Sequence, residues 1–76
     1  EDSNVSINRK LKIGSTATPA VTLDIQGTDA VQLTAGTTAQ QPGQTGQVAA
    51  AAGMIRFNTT TSKFEGYDGT SWIDLN

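Results

Sequence analysis

The shortage of bulky apolar side chains constrains this chain more than any other feature. Of its 76 residues, 27 are hydrophobic, but nine of those are Ala; the large set is four Val, five Ile, four Leu, one Met, two Phe, one Trp and one Tyr. A domain this small with so little apolar surface normally needs disulfides, a structural metal or a neighbouring subunit to become stable. The chain has no Cys and no His. Disulfides and thiolate metal sites are therefore excluded, and the commonest transition-metal ligand is missing. Oligomerisation is what remains. Disorder is the competing reading, since Thr, Gly, Gln, Ala and Ser dominate. Yet disordered chains combine low hydrophobicity with high net charge, and here the net charge is only −2.

The apolar residues are also patterned. Val5 and Ile7 flank Ser6, Leu11 and Ile13 flank Lys12, and Val21, Leu23 and Ile25 alternate with Thr22 and Asp24. Val31 and Leu33 flank Gln32. Period-two alternation places such side chains on one face of a strand and the polar ones on the other. Gly14, Pro19, Gly27 and Gly36 fall between the runs, where turns belong. Residues 1–33 thus predict four short strands. Each has only two or three inward side chains and cannot cover itself. Three copies around an axis, each contributing its Val, Ile and Leu, would form a narrow core and remove the exposed strand edges.

Residues 34–53 change character: they hold Gln40, Gln41, Gln44, Gln47, Pro42 and the run Ala49 to Ala52, with Val48 as the one large apolar residue. This composition predicts an extended connector that lies over the trunk or links two subregions. The Ala run stopped by Gly53 offers one helical turn as an alternative. Residues 54–76 contain all four aromatics, Phe57, Phe64, Tyr67 and Trp72. Met54 to Phe57 and Phe64 to Tyr67 read as strands around the polar loop Asn58 to Lys63. Asp68-Gly69 is a tight-turn pair, and Trp72 to Leu75 closes a three-stranded meander. The fold class expected is all-β, with short strands in an intertwined homotrimeric β-prism or fibre that ends in an antiparallel meander.

The stretch Gly53-Met54-Ile55-Arg56-Phe57-Asn58-Thr59-Thr60-Thr61, followed by Lys63-Phe64-Glu65-Gly66-Tyr67-Asp68-Gly69-Thr70-Ser71-Trp72, resembles a motif of bacteriophage tail-fibre proteins. Leu23 to Val31 resembles an element that often precedes it, and so does the connector Gly36 to Pro42. The family more usually has Arg before that Pro, whereas this chain has Gln41. Together the matches span about residues 21 to 75. The resemblance implies a homotrimeric, β-rich fibre of the virion that helps the particle contact its host. The partners implied are other tail-fibre or baseplate proteins and a host surface glycan or protein. The leading function is a shaft or trimerisation segment. The alternatives are a receptor-binding tip and a fragment of a bacterial trimeric surface adhesin. The trimer-core candidates are Val21, Leu23, Ile25, Val31, Leu33, Ile55, Phe57, Phe64 and Trp72; Tyr67 and Trp72 are also candidate receptor contacts, as aromatics able to stack on sugars.

Chemistry is sparse. Without His and Cys, most nucleophile–base pairs are impossible. The acids are Glu1, Asp2, Asp24, Asp29, Glu65, Asp68 and Asp74, and their positions read as turns and solvated strand faces rather than a glycosidase pair across a cleft. No catalytic, cofactor or metal residue is expected, and no enzyme. Arg56 and Glu65, on the two arms of the predicted hairpin, suggest a modest cross-strand ion pair. Asn4-Val5-Ser6 and Asn58-Thr59-Thr60 match the N-glycosylation pattern, which means nothing in a phage grown in bacteria. The mild acidity gives no electrostatic basis for nucleic-acid binding, and no run approaches the ~20 apolar residues of a membrane span. The polar start Glu1-Asp2-Ser3-Asn4 is unlike a signal peptide and reads as a cut from a longer polypeptide.

Overall fold

The computed structural model describes residues 5–76. Glu1, Asp2 and the Asn4 acceptor pattern therefore lie outside the described residues. The chain divides into two compact units, one running to Val31 and the other from Gln32 to Asn76. The described residues are all-β and contain no α-helix.

In the first unit, β1 (Leu11–Ile13) and β2 (Leu23–Ile25) pair in parallel, Leu11 opposite Leu23, Lys12 opposite Asp24 and Ile13 opposite Ile25. Both match predicted alternations. The other two predicted strands do not form: Val5 to Ile7 and Val31 to Leu33 are unpaired backbone. Alternation alone gives a strand a face but no partner, and these segments have no ladder to join.

In the second unit, β3 (Ala35–Gly36) runs parallel to β4 (Ile55–Asn58), which continues into β5 (Lys63–Tyr67) and β6 (Trp72–Asp74) as an antiparallel meander. The order β3-β4-β5-β6 adds one strand to the three expected. The β4–β5 loop is closed by Asn58, whose Oδ1 accepts the Thr60 and Thr61 N–H groups at 2.9 and 3.3 Å. The β5–β6 loop is closed by Asp68, whose Oδ1 accepts from the Thr70 and Ser71 N–H groups at 2.8 and 2.9 Å. Asx side chains make such turns because their short acceptor reaches the backbone two residues on.

The 34–53 stretch is not a free linker. It supplies β3 and a 3-10 turn at Thr38–Gln40, then folds back over one face of the sheet. The Ala run forms no helix; Gly53, in the turn before β4, instead donates its N–H to the Tyr67 carbonyl at 2.9 Å.

Candidate functional site

Register sorts the side chains of the second unit. Ile55, Arg56, Phe57 and Asn58 of β4 stand opposite Gly66, Glu65, Phe64 and Lys63, and Glu65, Gly66 and Tyr67 stand opposite Asp74, Ile73 and Trp72. Paired residues share a face, and successive ones alternate. One face therefore carries the rows Ile55–Gly66–Ile73 and Ala35–Phe57–Phe64, the second extended by Leu75, whose N–H donates to the Phe64 carbonyl. The other face carries Arg56–Glu65–Asp74, Gly36–Asn58–Lys63 and Tyr67–Trp72.

The polar face is the covered one. Arg56 donates through Nη1 to Glu65 Oε2 at 2.5 Å and through Nη2 to the Thr37 carbonyl at 2.9 Å. Gln41 Nε2 reaches the same Glu65 oxygen at 2.8 Å, while Asn58 Nδ2 donates to Glu65 Oε1 at 3.2 Å and Thr38 Oγ1 at 3.0 Å. These contacts fasten the connector to the sheet. The sequence suggested a modest cross-strand Arg56–Glu65 pair; the structure forms the pair and buries it, because Thr37, Thr38 and Gln41 lie across it. Gly36 makes room for this packing: a Cβ there would stand 2.7 Å from Arg56 Nη2 and 2.9 Å from Gln40 Oε1. Burial pushes the Glu65 carboxyl up, but the hydrogen bonds from Gln41, Arg56 and Asn58, together with the Arg56 charge, outweigh it and hold the group below its ordinary value.

The same inversion occurs in the first unit. Asp24, read from sequence as solvated, is buried and accepts from Lys12 Nζ at 2.7 Å, the Ala20 N–H at 2.9 Å and Gln26 Nε2 at 2.8 Å. Those bonds, Lys12 first, hold its carboxyl well below the usual carboxylate range. Asp68 is lowered too, by the backbone N–H groups of Ser71 and Thr70. Every described buried residue is polar: Asp24, Gln41, Arg56, Asn58 and Glu65.

The apolar faces point outward. In the first unit Ile13, Leu23 and Ile25 are exposed, and in the second Ile55, Phe64, Ile73 and Leu75. Phe57 and Phe64 meet edge to face, with centroids 5.0 Å apart. Of the residues singled out from sequence, Ile55, Phe57 and Phe64 come together here, and Leu23 and Ile25 share the outer face of β2. Val21 lies in the bend before β2; Val31 and Leu33 lie outside any strand. Trp72 stands on the polar face, apart from Phe64. Its Nε1 donates to the Pro42 carbonyl at 3.0 Å and its ring packs on Tyr67 at 5.3 Å. The four-residue turn Asp68 to Ser71 sets this register, making Ile73 and Leu75 members of the apolar face. Loop length, readable in the sequence, was the signal for these two; Gln41, Asn58 and Gly66 carried no such signal.

Trp72 also borders an open cleft of about 560 Å³ that Gln40, Pro42, Gln47, Met54 and Arg56 help to line. The Arg56 charge at its edge is already paired with Glu65. The Asn58 acceptor pattern is closed to modification in the folded chain, since Asn58 is 2 % exposed with its amide engaged twice. Among the described residues no group of three or more acids could hold a metal ion, and no helix is long and apolar enough to cross a membrane. Compared with known proteins, the chain matches no family model, no curated protein and no solved structure.

Proposed function

We propose that this chain is a structural, non-enzymatic segment of a bacteriophage tail fibre, a homotrimeric β-prism that supports attachment of the virion to its host. The observation that carries this reading is the inverted distribution of side chains. A chain that encloses its polar groups and presents Leu23, Ile25, Ile55, Phe64, Ile73 and Leu75 outward is built to complete its interior with other chains. The tail-fibre motif from Gly53 to Trp72 supplies the context. It includes Arg56, Asn58, Glu65 and Gly66, which hold the connector or occupy the sheet faces. Other tail-fibre or baseplate proteins are the neighbours in this proposal, and the virion is the location.

The test is mass in solution. Sedimentation equilibrium on the 76-residue chain is expected to give three copies with a cooperative, concentration-dependent melt. A folded monomer at all concentrations overturns the proposal. The cleft beside Trp72 favours a second reading, a tip that recognises a host surface glycan or protein. Competition separates the two: a tip added in excess blocks phage adsorption, whereas a shaft segment does not.

A further inference from the structure

We propose that the cleft beside Trp72 binds a neutral sugar, whose C–H face rests on the Trp72 ring and whose adjacent hydroxyls bridge the open edge of β4 and the amides of Gln40 and Gln47. The inference rests on the second reading above, that of a recognising tip, and names the class of its ligand.

The cleft lies wholly within the second unit, at the edge of its sheet. Register makes its rim. The Tyr67 N–H donates to the Met54 carbonyl at 2.9 Å, so Arg56 and Asn58 turn their backbone groups toward β5, and Ile55 and Phe57 turn theirs toward β3. Phe57 finds a partner there and donates to the Thr34 carbonyl at 2.9 Å. β3 starts only opposite Phe57, however, and no described residue carries the ladder on to Ile55. Ile55 lines the cleft and brings to it one N–H and one C=O, a donor and an acceptor side by side. Gly53 shapes the same rim. Its φ of 93° and its bond to the Tyr67 carbonyl place Gly53 and Met54 together opposite Tyr67. A bulge of this kind re-aims a side chain, and Met54 lines the cleft with Trp72.

The facing wall is already ordered. Trp72 is held by the Pro42 carbonyl and by Tyr67, so its partly exposed ring loses little freedom when a ligand arrives. The segment carrying Gln40, Pro42 and Gln47 is closed on itself: the Gly43 N–H donates to the Val48 carbonyl at 2.7 Å and the Gln44 N–H to the Gln41 carbonyl at 3.1 Å. Gln40 Oε1 accepts the Thr37 N–H at 2.9 Å, which leaves Nε2 to donate. Gln47 commits only its backbone, the N–H donating to the Gln44 carbonyl at 3.0 Å.

These groups select the ligand. Among the described residues lining the cleft, Arg56 alone is charged, and Glu65 already neutralises it. An ionic ligand gains nothing there. Trp72, Met54 and Pro42 call for an apolar surface, while Ile55 and the amides call for paired donors and acceptors. A sugar ring supplies both, because each hydroxyl donates and accepts and the C–H face is apolar. An extended peptide needs several consecutive open residues to add as a strand, and β3 covers the edge from Phe57 onward. The cleft volume of about 560 Å³ falls within the roughly 300–1,000 Å³ of small-ligand sites.

The experiment titrates the whole 76-residue chain with the methyl glycosides of glucose, galactose and mannose, with N-acetylglucosamine, with glucuronate as a charged counterpart, and with a capped neutral peptide of alternating Val and Thr. Amide NMR signals and the fluorescence of the single Trp report binding. A neutral sugar is expected to shift Met54, Ile55, Gln47 and the Trp72 indole in one saturable transition at millimolar concentration. Gln47→Ala removes an exposed side chain that holds nothing in the fold; it should keep the free spectrum and weaken binding about tenfold. No saturable shift from any of the neutral sugars overturns the site. Shifts from the peptide alone also overturn it and make the edge a strand-adding surface. Tighter binding of glucuronate overturns the neutral class, and full affinity in Gln47→Ala overturns the assigned wall. Sugar binding by a chain that leaves phage adsorption unblocked keeps the site and removes the tip reading. Blocked adsorption with every sugar silent does the reverse, leaving the tip to a protein receptor.

Discussion

Cutting the Arg56–Glu65 pair is the perturbation that most directly probes how this chain is held together. The Nη1–Oε2 distance is 2.5 Å, and the two side chains are 8 and 4 % exposed. Replacing Glu65 with Ala leaves the guanidinium under the connector with the Thr37 carbonyl as its remaining partner, and strips Gln41 Nε2 of its acceptor. Removing one member of a buried pair costs about 3–5 kcal/mol. The low end, about 3 kcal/mol, applies because only one layer of chain covers the pair. A chain of 76 residues has a total stability of about 4–11 kcal/mol at the usual value per residue, so Glu65→Ala takes a large share. The double variant Arg56→Met/Glu65→Leu removes both charges and keeps apolar volume. Its loss should be about 1–2 kcal/mol, chiefly the stranded Gln41 donor. Urea unfolding of wild type, Arg56→Met, Glu65→Leu and the double variant, at one fixed subunit concentration, measures the coupling. With a slope near 1 kcal/mol/M, Glu65→Ala lowers the midpoint by about 3 M. A coupling below about 0.5 kcal/mol would mean that the pair behaves like a solvated one, and would refute the claim that the connector seals it.

Acid should loosen the fold. Glu65, Asp24 and Asp68 all have folded-state pKa values below their ordinary 4.5 and 3.8. The unfolded chain therefore takes up protons first as pH falls. Their contribution is complete above that range and is lost as pH drops through the lowered values. The melting temperature at fixed concentration is expected to stay level from pH 7 to about 5 and then decline, and a flat profile to pH 2 would contradict the assignments. No His is present to add a transition between pH 5 and 8. Gly36→Ala places a Cβ against Arg56 Nη2 and Gln40 Oε1 and should cost about 1–3 kcal/mol in urea unfolding; no loss would show that the cluster has slack. Trp72→Ala separates two roles. The shaft reading expects a less stable chain, since the Pro42 hydrogen bond and the Tyr67 contact go. An intact trimer that no longer binds cells would instead establish the receptor role.

Much of the strand content was legible because it is local. The alternations at Leu11 to Ile13 and Leu23 to Ile25, the strands on either side of Asn58 to Lys63, and the Asp68-Gly69 turn all became structure. Val5 to Ile7 has the same alternation but no ladder to complete its backbone hydrogen bonds.

By itself, the sequence determined that large apolar groups are few for a chain of this length, and that without Cys and His there is no disulfide and no thiolate–imidazole metal site to compensate. Which face of each strand is covered was decided by the tertiary structure. Alternation defines two faces but carries no sign. The sign comes from non-local contacts: Gln41 meets Glu65 across 24 residues, and Trp72 meets Pro42 across 30. Those contacts lay the connector on Arg56, Asn58 and Glu65, and leave Ile55, Phe64 and Ile73 facing outward around Gly66.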